Sequence, residues 1–380
     1  MMLLRLGLLP LLLLFTLTTC DRAPVGPGAE LPPDSKVKGI PSYQQFTYTD
    51  PIAGPDPITV EVVRLAGDGG RLRMTAHSPA SFEQYTLDSV GPDRFTHIGQ
   101  YGDTVALTGT ILSYHPQETS LDRTFHELQA STPPYPLRYR EIVSEQPLYA
   151  DTPDGAVYEY RTAYPTLPAD DPLATVLNYE LYRFYYGQEA GYDFDTPPDF
   201  GEEITTDAQT ALEEVRSGLD PDDEFRLPGA ARETIIQVLR NSPDVLVLAS
   251  HFYMYEGGAH GMYGTTYLNL LDSPAEGLLS ENPLHLFGSE ESEARAELQT
   301  WLNAYASKQT GPLAEQLQGL FEDELPLTDN VALLPSGLLF TYNPYEVGPY
   351  ALGQVEVLLP VGEFRELLYE DDRKLWAGDN

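Results

Sequence analysis

Apolar and polar residues alternate along the first third of the chain. Ile58–Leu65 ("ITVEVVRL") and Arg71–His77 ("RLRMTAH") read in-out-in-out, and "AGDGG" between them is a hairpin loop. "FEQYTLDSV", "RFTHIGQY" and "TVALTGTILSY" follow at similar spacing with turn residues between them. Residues 41–117 are therefore expected to form an all-β unit, a small sandwich or barrel. Residues 118–136 ("ETSLDRTFHELQASTPPYP") read as an interdomain segment.

From residue 137 the period changes. "YREIVSEQPLYA" and "AVYEYRTAYPTL" predict two strands. Asp171–Gly187 then carries Leu173, Val176, Leu177, Leu181 and Phe184 on one stripe, which predicts a helix with Asp171 as cap and Pro172 in its first position. Thr205–Leu219 predicts a second helix. "DVLVLASHFYMYE" and "YGTTYLNLLD" are a strand and its return partner, followed from Ser289 by a helical stretch broken near "TGP". "GLLFTYNP" and "GQVEVLLP" are two further strands, and "VGEFRELL" is a closing helix. Strands interrupted by helices make residues 137–380 an α+β domain, an antiparallel sheet with helices packed on one face. The 33 prolines and 31 glycines in 380 residues suit a strand-rich, turn-rich chain of two folded units.

The first residues do not belong to this fold. Residues 1–19 combine a single cation, Arg5, with an apolar run from Gly7 to Leu17, too short for a membrane span, and read as a signal peptide. The run stops at Cys20, the only cysteine. "LTTC" resembles a bacterial lipobox, with threonine where Gly, Ala or Ser usually precedes the cysteine. Cys20 is thus the expected lipid attachment site, and Pro- and Gly-rich residues 20–40 the tether. The expected location is the cell envelope, periplasmic or surface-facing, with the membrane reached through the lipid.

Charge narrows the partners. The formal net charge is −36, and there are only four lysines. Without residues 1–19 the count is 21 basic against 58 acidic residues. Nucleic acid is excluded as a partner, since its phosphates need Lys and Arg. A basic protein would be attracted and steered, although general acidity of a salt-adapted proteome explains the same composition.

The loop of "HFYMYEGGAHGMYGTTYLNL" draws attention because Gly257, Gly258 and His260 sit where two strands reverse. Glycines there suit a turn needing positive φ. His251, Glu256 and His260 do not have zinc spacing, there is no H-E-x-x-H, and no metal or other cofactor is expected. Ser250 and His251 are strand neighbours that face apart, and no G-x-S-x-G elbow exists, so no catalytic residue is assigned. Tyrosines, 25 in all, concentrate in "YRFYYG", "HFYMYE" and "TYNPYEVGPY", where they serve packing or contact surfaces.

"YEGGAHGMYGTTYLNL", "LHLF" (Leu284–Phe287) and "TYNPYEVGPYALGQVEVLLPVGEF" (Thr341–Phe364) together resemble the C-terminal domain of the anti-sigma factor RsiV, a lysozyme sensor. The same domain stands beside the catalytic domain of the peptidoglycan deacetylase PdaC. The resemblance spans about Leu137–Leu368 and implies an extracytoplasmic α+β domain, which in RsiV binds lysozyme. The sigma-binding segment, transmembrane helix and deacetylase domain of those proteins have no counterpart here. The first expectation is therefore a lipid-anchored, non-enzymatic binding protein that recognises a lysozyme-like protein or a cell-wall glycan. Its candidate contact residues are Tyr255, Gly257, Gly258, His260, Tyr342, Asn343 and Tyr345. Two alternatives stay open: an envelope glycan hydrolase using His260 with Glu256 or Tyr255 as acid–base groups, and an assembly lipoprotein.

Overall fold

Strict alternation in the first part of the chain produces a sheet that nearly closes on itself. The computed structural model describes residues 43–49, 57–65, 71–79, 81–91, 94–98, 104–115, 124–149, 155–187, 192, 197–219, 226–273, 277–289 and 291–376. The expected signal peptide, Cys20 and the tether lie outside the described residues. Strands β1 (Tyr43–Tyr48), β2 (Ile58–Arg64), β3 (Leu72–His77), β4 (Phe82–Gly91), β5 (Arg94–Ile98), β6 (Thr104–Thr108) and β7 (Ile111–His115) form an antiparallel meander. Strand β8 (Thr124–Glu127) pairs with β7 at one edge, and β9 (Gln129–Ala130) pairs with β1 at the other. Only Leu128 separates them, so one short stretch bonds both edges and the sheet approaches a barrel. Both strands fall in the segment read as interdomain; they are too short to show a period of their own. Phe46, Val60, Val62, Leu72, Met74, Leu87, Phe95 and Leu107 fill the interior.

The second part is α+β, as its alternating signals predicted. A six-stranded sheet runs in chain order: β10 (Arg138–Pro147), β11 (Val157–Thr166), β12 (Ala230–Ser242), β13 (Val245–Tyr255), β14 (Met262–Ser273) and β15 (Gly277–Ser280). All neighbours are antiparallel except β11 and β12, whose parallel pairing requires the long crossover through α1 (Ala174–Tyr186) and α2 (Phe200–Gly218). Helix α1 starts later than Asp171 suggested: Leu173 is the cap residue, and the Asp171 carboxylate instead accepts the Leu173 N–H at 2.9 Å. Helix α2 starts earlier than Thr205, because Asp199 caps it by accepting from Gly201 and Glu202.

Strand β13 explains why the apolar run "VLVLA" lacks alternation. Leu246 and Leu248 point into a core with Tyr158, Tyr160, Tyr164, Leu177, Leu181 and Phe200, under α1 and α2. Val245, Val247 and Ala249 point the other way. There they meet a three-stranded sheet of β16 (Val331–Leu334), β17 (Gly337–Tyr342) and β18 (Val355–Pro360), with α3 (Glu293–Ala306), α4 (Pro312–Leu317) and α5 (Val361–Phe364) around it. A strand buried on both faces needs apolar residues at every position. Several tyrosines therefore serve the core: Tyr158, Tyr160 and Tyr164 are almost fully buried, and burial raises the phenol pKa of Tyr158 and Tyr164 to about 12.

Strand β12 carried no signal in the sequence, because Arg232, Glu233, Thr234, Gln237, Arg240 and Asn241 interrupt its apolar residues. Other parts of the chain take up several of those polar groups. Gln237 donates to the Thr75 hydroxyl at 2.8 Å, and Arg240 donates to the Leu375 carbonyl at 3.0 Å. The outer wall of the barrel is buried here, including Glu61, which accepts from Tyr43 at 2.8 Å and Gln45 at 3.0 Å and lies 3.5 Å from His77. Burying such a carboxylate costs its hydration, and donors on its lone pairs offset that cost.

Candidate functional site

The β13–β14 hairpin and the segment after β17 meet at one tip. Gly257 and Gly258 have φ of 109° and 97°, which glycine adopts without strain, and the Tyr255 hydroxyl donates to the Gly258 carbonyl at 3.3 Å. These three residues shape the turn. Glu256 is occupied with Arg232 at 2.9 Å and does not approach His260 as an acid–base partner.

His260 is exposed and lies flat on Tyr350, with ring centroids 3.7 Å apart and planes 19° apart. The Tyr350 hydroxyl donates to the Gly261 carbonyl at 2.6 Å, which holds the stack against the hairpin. His260 Nδ1 lies 3.0 Å from the Gly261 carbonyl, and Nε2 lies 3.5 Å from the Tyr345 hydroxyl. Tyr345 and Tyr263 flank Tyr350 at 5.6 and 5.8 Å. The result is an aromatic tip with Tyr345 about half exposed, at 52%, and Tyr253 beside it at 42%.

The backbone presents Tyr345 by an unusual turn. The Asn343 carbonyl accepts the Glu346 N–H at 3.0 Å, Pro344 takes the second position, and Tyr345 has φ of 76° in the third. This is a type II turn with tyrosine where glycine normally stands, a conformation that costs about 1–3 kcal/mol.

The other two residues singled out in this segment have structural work. Tyr342 is buried, and its hydroxyl donates to the Pro326 carbonyl at 2.6 Å. Asn343 accepts the Thr265 N–H at 2.7 Å and donates to the Thr265 carbonyl at 3.1 Å. Asn330 and Asn269 act in the same way, donating to the carbonyls of Thr265 and Val331 at 2.8 Å each. Three asparagine amides thereby satisfy backbone between β14 and the smaller sheet where no strand pairs. Of the seven candidates, the structure brings His260 and Tyr345 into one exposed surface and places Tyr255, Gly257, Gly258, Tyr342 and Asn343 in its support.

A second group lies on the same face of the hairpin, further in, and had no sequence signal. His251 Nδ1 is 3.0 Å from the Thr265 hydroxyl, which donates to Gln354 Oε1 at 3.3 Å. Gln354 Nε2 donates to Glu356 at 3.0 Å, and Tyr267 also hydrogen-bonds Glu356. Gln354 and Glu356 are about ninety residues from Thr265 in sequence, so no local motif could announce the group. Burial, with the Arg73 charge second, lowers the His251 pKa from 6.5 to about 3. A depressed histidine pKa contributes stability that is present above about pH 6.5 and is lost as pH falls towards 3. His251 is accordingly expected to stay neutral at pH 5 in nitrogen-edited NMR spectra of the folded protein; an imidazolium signal there would contradict this environment.

Among the described residues, no group of three or more His, Cys, Asp or Glu side chains is placed to hold a metal ion, and no helix is long and apolar enough to cross a membrane.

Comparison with known proteins places a DUF3298 domain, described as a protein of unknown function, at residues 286–362. That span includes the Tyr345 turn and Tyr350 and begins after the Gly-Gly-Ala-His loop. A DUF3298 family member from Bacteroides fragilis is similar in structure with 23% identity and a TM-score of 0.49, covering 63% of this chain and 97% of its own. A DUF3298 family protein from Pseudomonas aeruginosa PAO1 has 18% identity and a TM-score of 0.39, covering 64% of this chain and 98% of its own. No curated protein matches the chain.

Proposed function

We propose that this chain is a lipid-anchored binding protein of the bacterial cell envelope that holds a basic, lysozyme-like protein against its aromatic tip and performs no chemistry of its own. The observation that carries the reading is the tip itself: His260 stacked on Tyr350 and flanked by Tyr345, which a strained turn holds exposed. Rigid aromatic rings with polar ends supply contact area at low entropic cost, which is why such residues dominate protein interfaces. Strain retained at an exposed residue is a feature of recognition sites. The net charge of −36 would steer a basic partner towards the protein. The resemblance to the lysozyme-binding domain of RsiV supports the same partner, and the lipobox-like "LTTC" at Cys20 supports the anchor. His260 has no carboxylate partner among the described residues, which weakens the hydrolase alternative built on it.

The test is capture of lysozyme by the full-length protein at low and moderate salt, with Tyr345→Gly as the variant. Glycine suits the turn, so the variant should keep or slightly raise stability while losing roughly tenfold or more in affinity, as for an aromatic hot spot. Absence of capture by the wild type at either salt concentration would rule out the lysozyme reading. A cell-wall glycan is the second reading, favoured by the flat His260–Tyr350 stack, a surface on which a sugar ring can lie; co-sedimentation with insoluble peptidoglycan separates it from the first.

A further inference from the structure

We infer that the aromatic tip is one half of a longer docking surface, and that the loop of residues 321–324 is the other half, a contact for lysine and arginine side chains of a basic protein. The inference rests on the binding reading above and deepens it, since it assigns the part of the chain that the partner's cations meet.

Position comes first. The Phe321 N–H donates to the Val347 carbonyl at 2.8 Å, which sets the loop beside the turn that presents Tyr345. The two segments approach backbone to backbone: a Cβ on Gly348 would lie 3.3 Å from the Gly319 carbonyl oxygen and 2.3 Å from Leu352 Cδ2. The far end of the loop is fixed as well. Asn303 Oδ1 on α3 accepts the Leu325 N–H at 2.7 Å, and Asn303 Nδ2 donates to the Leu325 carbonyl at 2.9 Å. Leu325 is buried, whereas Phe321, Glu322, Asp323 and Glu324 are all exposed between the two anchors. The Phe321 ring is 62% exposed, more than that of Tyr345. A loop tied at both ends by backbone hydrogen bonds loses little further entropy on binding.

Charge comes second. Among the described residues, none of the three loop carboxylates meets a cation or a hydrogen-bond donor, so their acceptor capacity is unspent. Residues 241–294 and 309–364 supply β13–β18, the tip and this loop. They contain sixteen Asp and Glu and no lysine or arginine, although the chain has 22 such cations. General acidity explains fewer cations throughout; it does not explain their complete absence from two stretches that pack into one core. Adjacent carboxylates without counter-charge attract Lys and Arg at long range. The exposed ring adds what charge alone lacks, because the alkyl stem of a bound Lys or Arg packs on it while the head meets the carboxylates. The same charges repel anionic lipid headgroups, and a second copy of this chain would bring like charge to like.

The experiment measures the affinity of the full-length protein for lysozyme and for oligolysine, at low and moderate salt. The triple variant Glu322→Gln, Asp323→Asn, Glu324→Gln is expected to lose about tenfold at low salt and to show a weaker salt dependence. The control Glu202→Gln, Glu213→Gln, Glu214→Gln removes the same charge from exposed positions of α2 and should change affinity less than about twofold. Phe321→Ala keeps the backbone anchors and should cost about tenfold at both salt concentrations, as for an aromatic hot spot. A loss in the loop variant no larger than in the α2 control, or full affinity in Phe321→Ala, would overturn the inference. If oligolysine binding depends on the loop while lysozyme does not bind, the lysozyme reading of the tip falls and this inference stands. Lysozyme binding that needs Tyr345 but not the loop gives the reverse, and binding of neither probe overturns both.

Discussion

Gly337→Ala is expected to destabilise the protein by about 3–5 kcal/mol, as the sum of overpacking and backbone strain at one position. Gly337 opens β17, with φ of 153°. A Cβ there would fall 2.0 Å from the Leu359 carbonyl oxygen and 2.9 Å from Pro360 Cα. Both are backbone atoms of the neighbouring strand and cannot rotate aside. Gly337 pairs with Leu334 on one side and Pro360 on the other, so relief would require β17 to part from β16 or β18. The core of Leu338, Phe340, Val357 and Leu359 would open with it. Trp376 reports on this directly, because its indole N–H donates to the Leu334 carbonyl at 2.8 Å. Urea unfolding followed by tryptophan fluorescence measures the loss, and a change below about 1 kcal/mol would show that the hairpin accommodates a methyl group. Function should suffer as well, since β17 ends at Tyr342 and leads into the turn that presents Tyr345.

Asn241→Leu should cost about 3–4 kcal/mol through three lost hydrogen bonds and one orphaned N–H rather than lost volume. Asn241 is 3% exposed. Its amide nitrogen donates to the Tyr43 hydroxyl at 2.8 Å and the Tyr135 carbonyl at 2.9 Å, and its amide oxygen accepts the Tyr135 N–H at 3.1 Å. Gln45 donates to its backbone carbonyl at 2.9 Å. One side chain thus joins β12 to the first strand of the barrel and to the chain that follows it. Leucine nearly conserves the volume but leaves the Tyr135 N–H without a partner and removes one of two bonds from the Tyr135 carbonyl, which keeps Leu137, and from the Tyr43 hydroxyl, which keeps Glu61. Tyr43→Phe is the comparison: it removes one hydroxyl, bonded to both Glu61 and Asn241, and should cost about 1–2 kcal/mol. Equal losses for the two variants in the same denaturation assay would refute the assignment of Asn241 as the joint.

Local pattern carried much of the architecture. The alternation of "ITVEVVRL" and "RLRMTAH" announced strands, and the apolar stripe of Asp171–Gly187 announced a helix, because side chains of these elements must segregate by face whatever they pack against. The helix starts were less legible. Asp171 and Asp199 are both competent caps, and which carboxylate accepts from the first turn depends on where the helix docks.

The same limit applies to the sites. Gly257, Gly258 and His260 stood out because glycine and histidine in a hairpin are locally distinctive, and Tyr345 because it stands in an Asn-Pro-Tyr turn. That His260 stacks on Tyr350, ninety residues later, depends on the smaller sheet docking beside β14. The polar group of His251, Thr265, Gln354 and Glu356 had no local mark at all, since its members come from three strands and a connecting loop.

Periodicity, turn chemistry and charge by themselves determined that this chain forms a β unit followed by an α+β unit, with a strongly acidic surface and a glycine-rich hairpin. Only the tertiary structure decided that the first sheet nearly closes through residues 124–130, that polar β12 is a central strand, and which aromatic rings share the tip. The reason is physical. Periodicity records which side of an element is apolar, whereas burial of Glu61 and Asn241, and the stacking of His260 on Tyr350, depend on partners that only folding brings within hydrogen-bonding or van der Waals range.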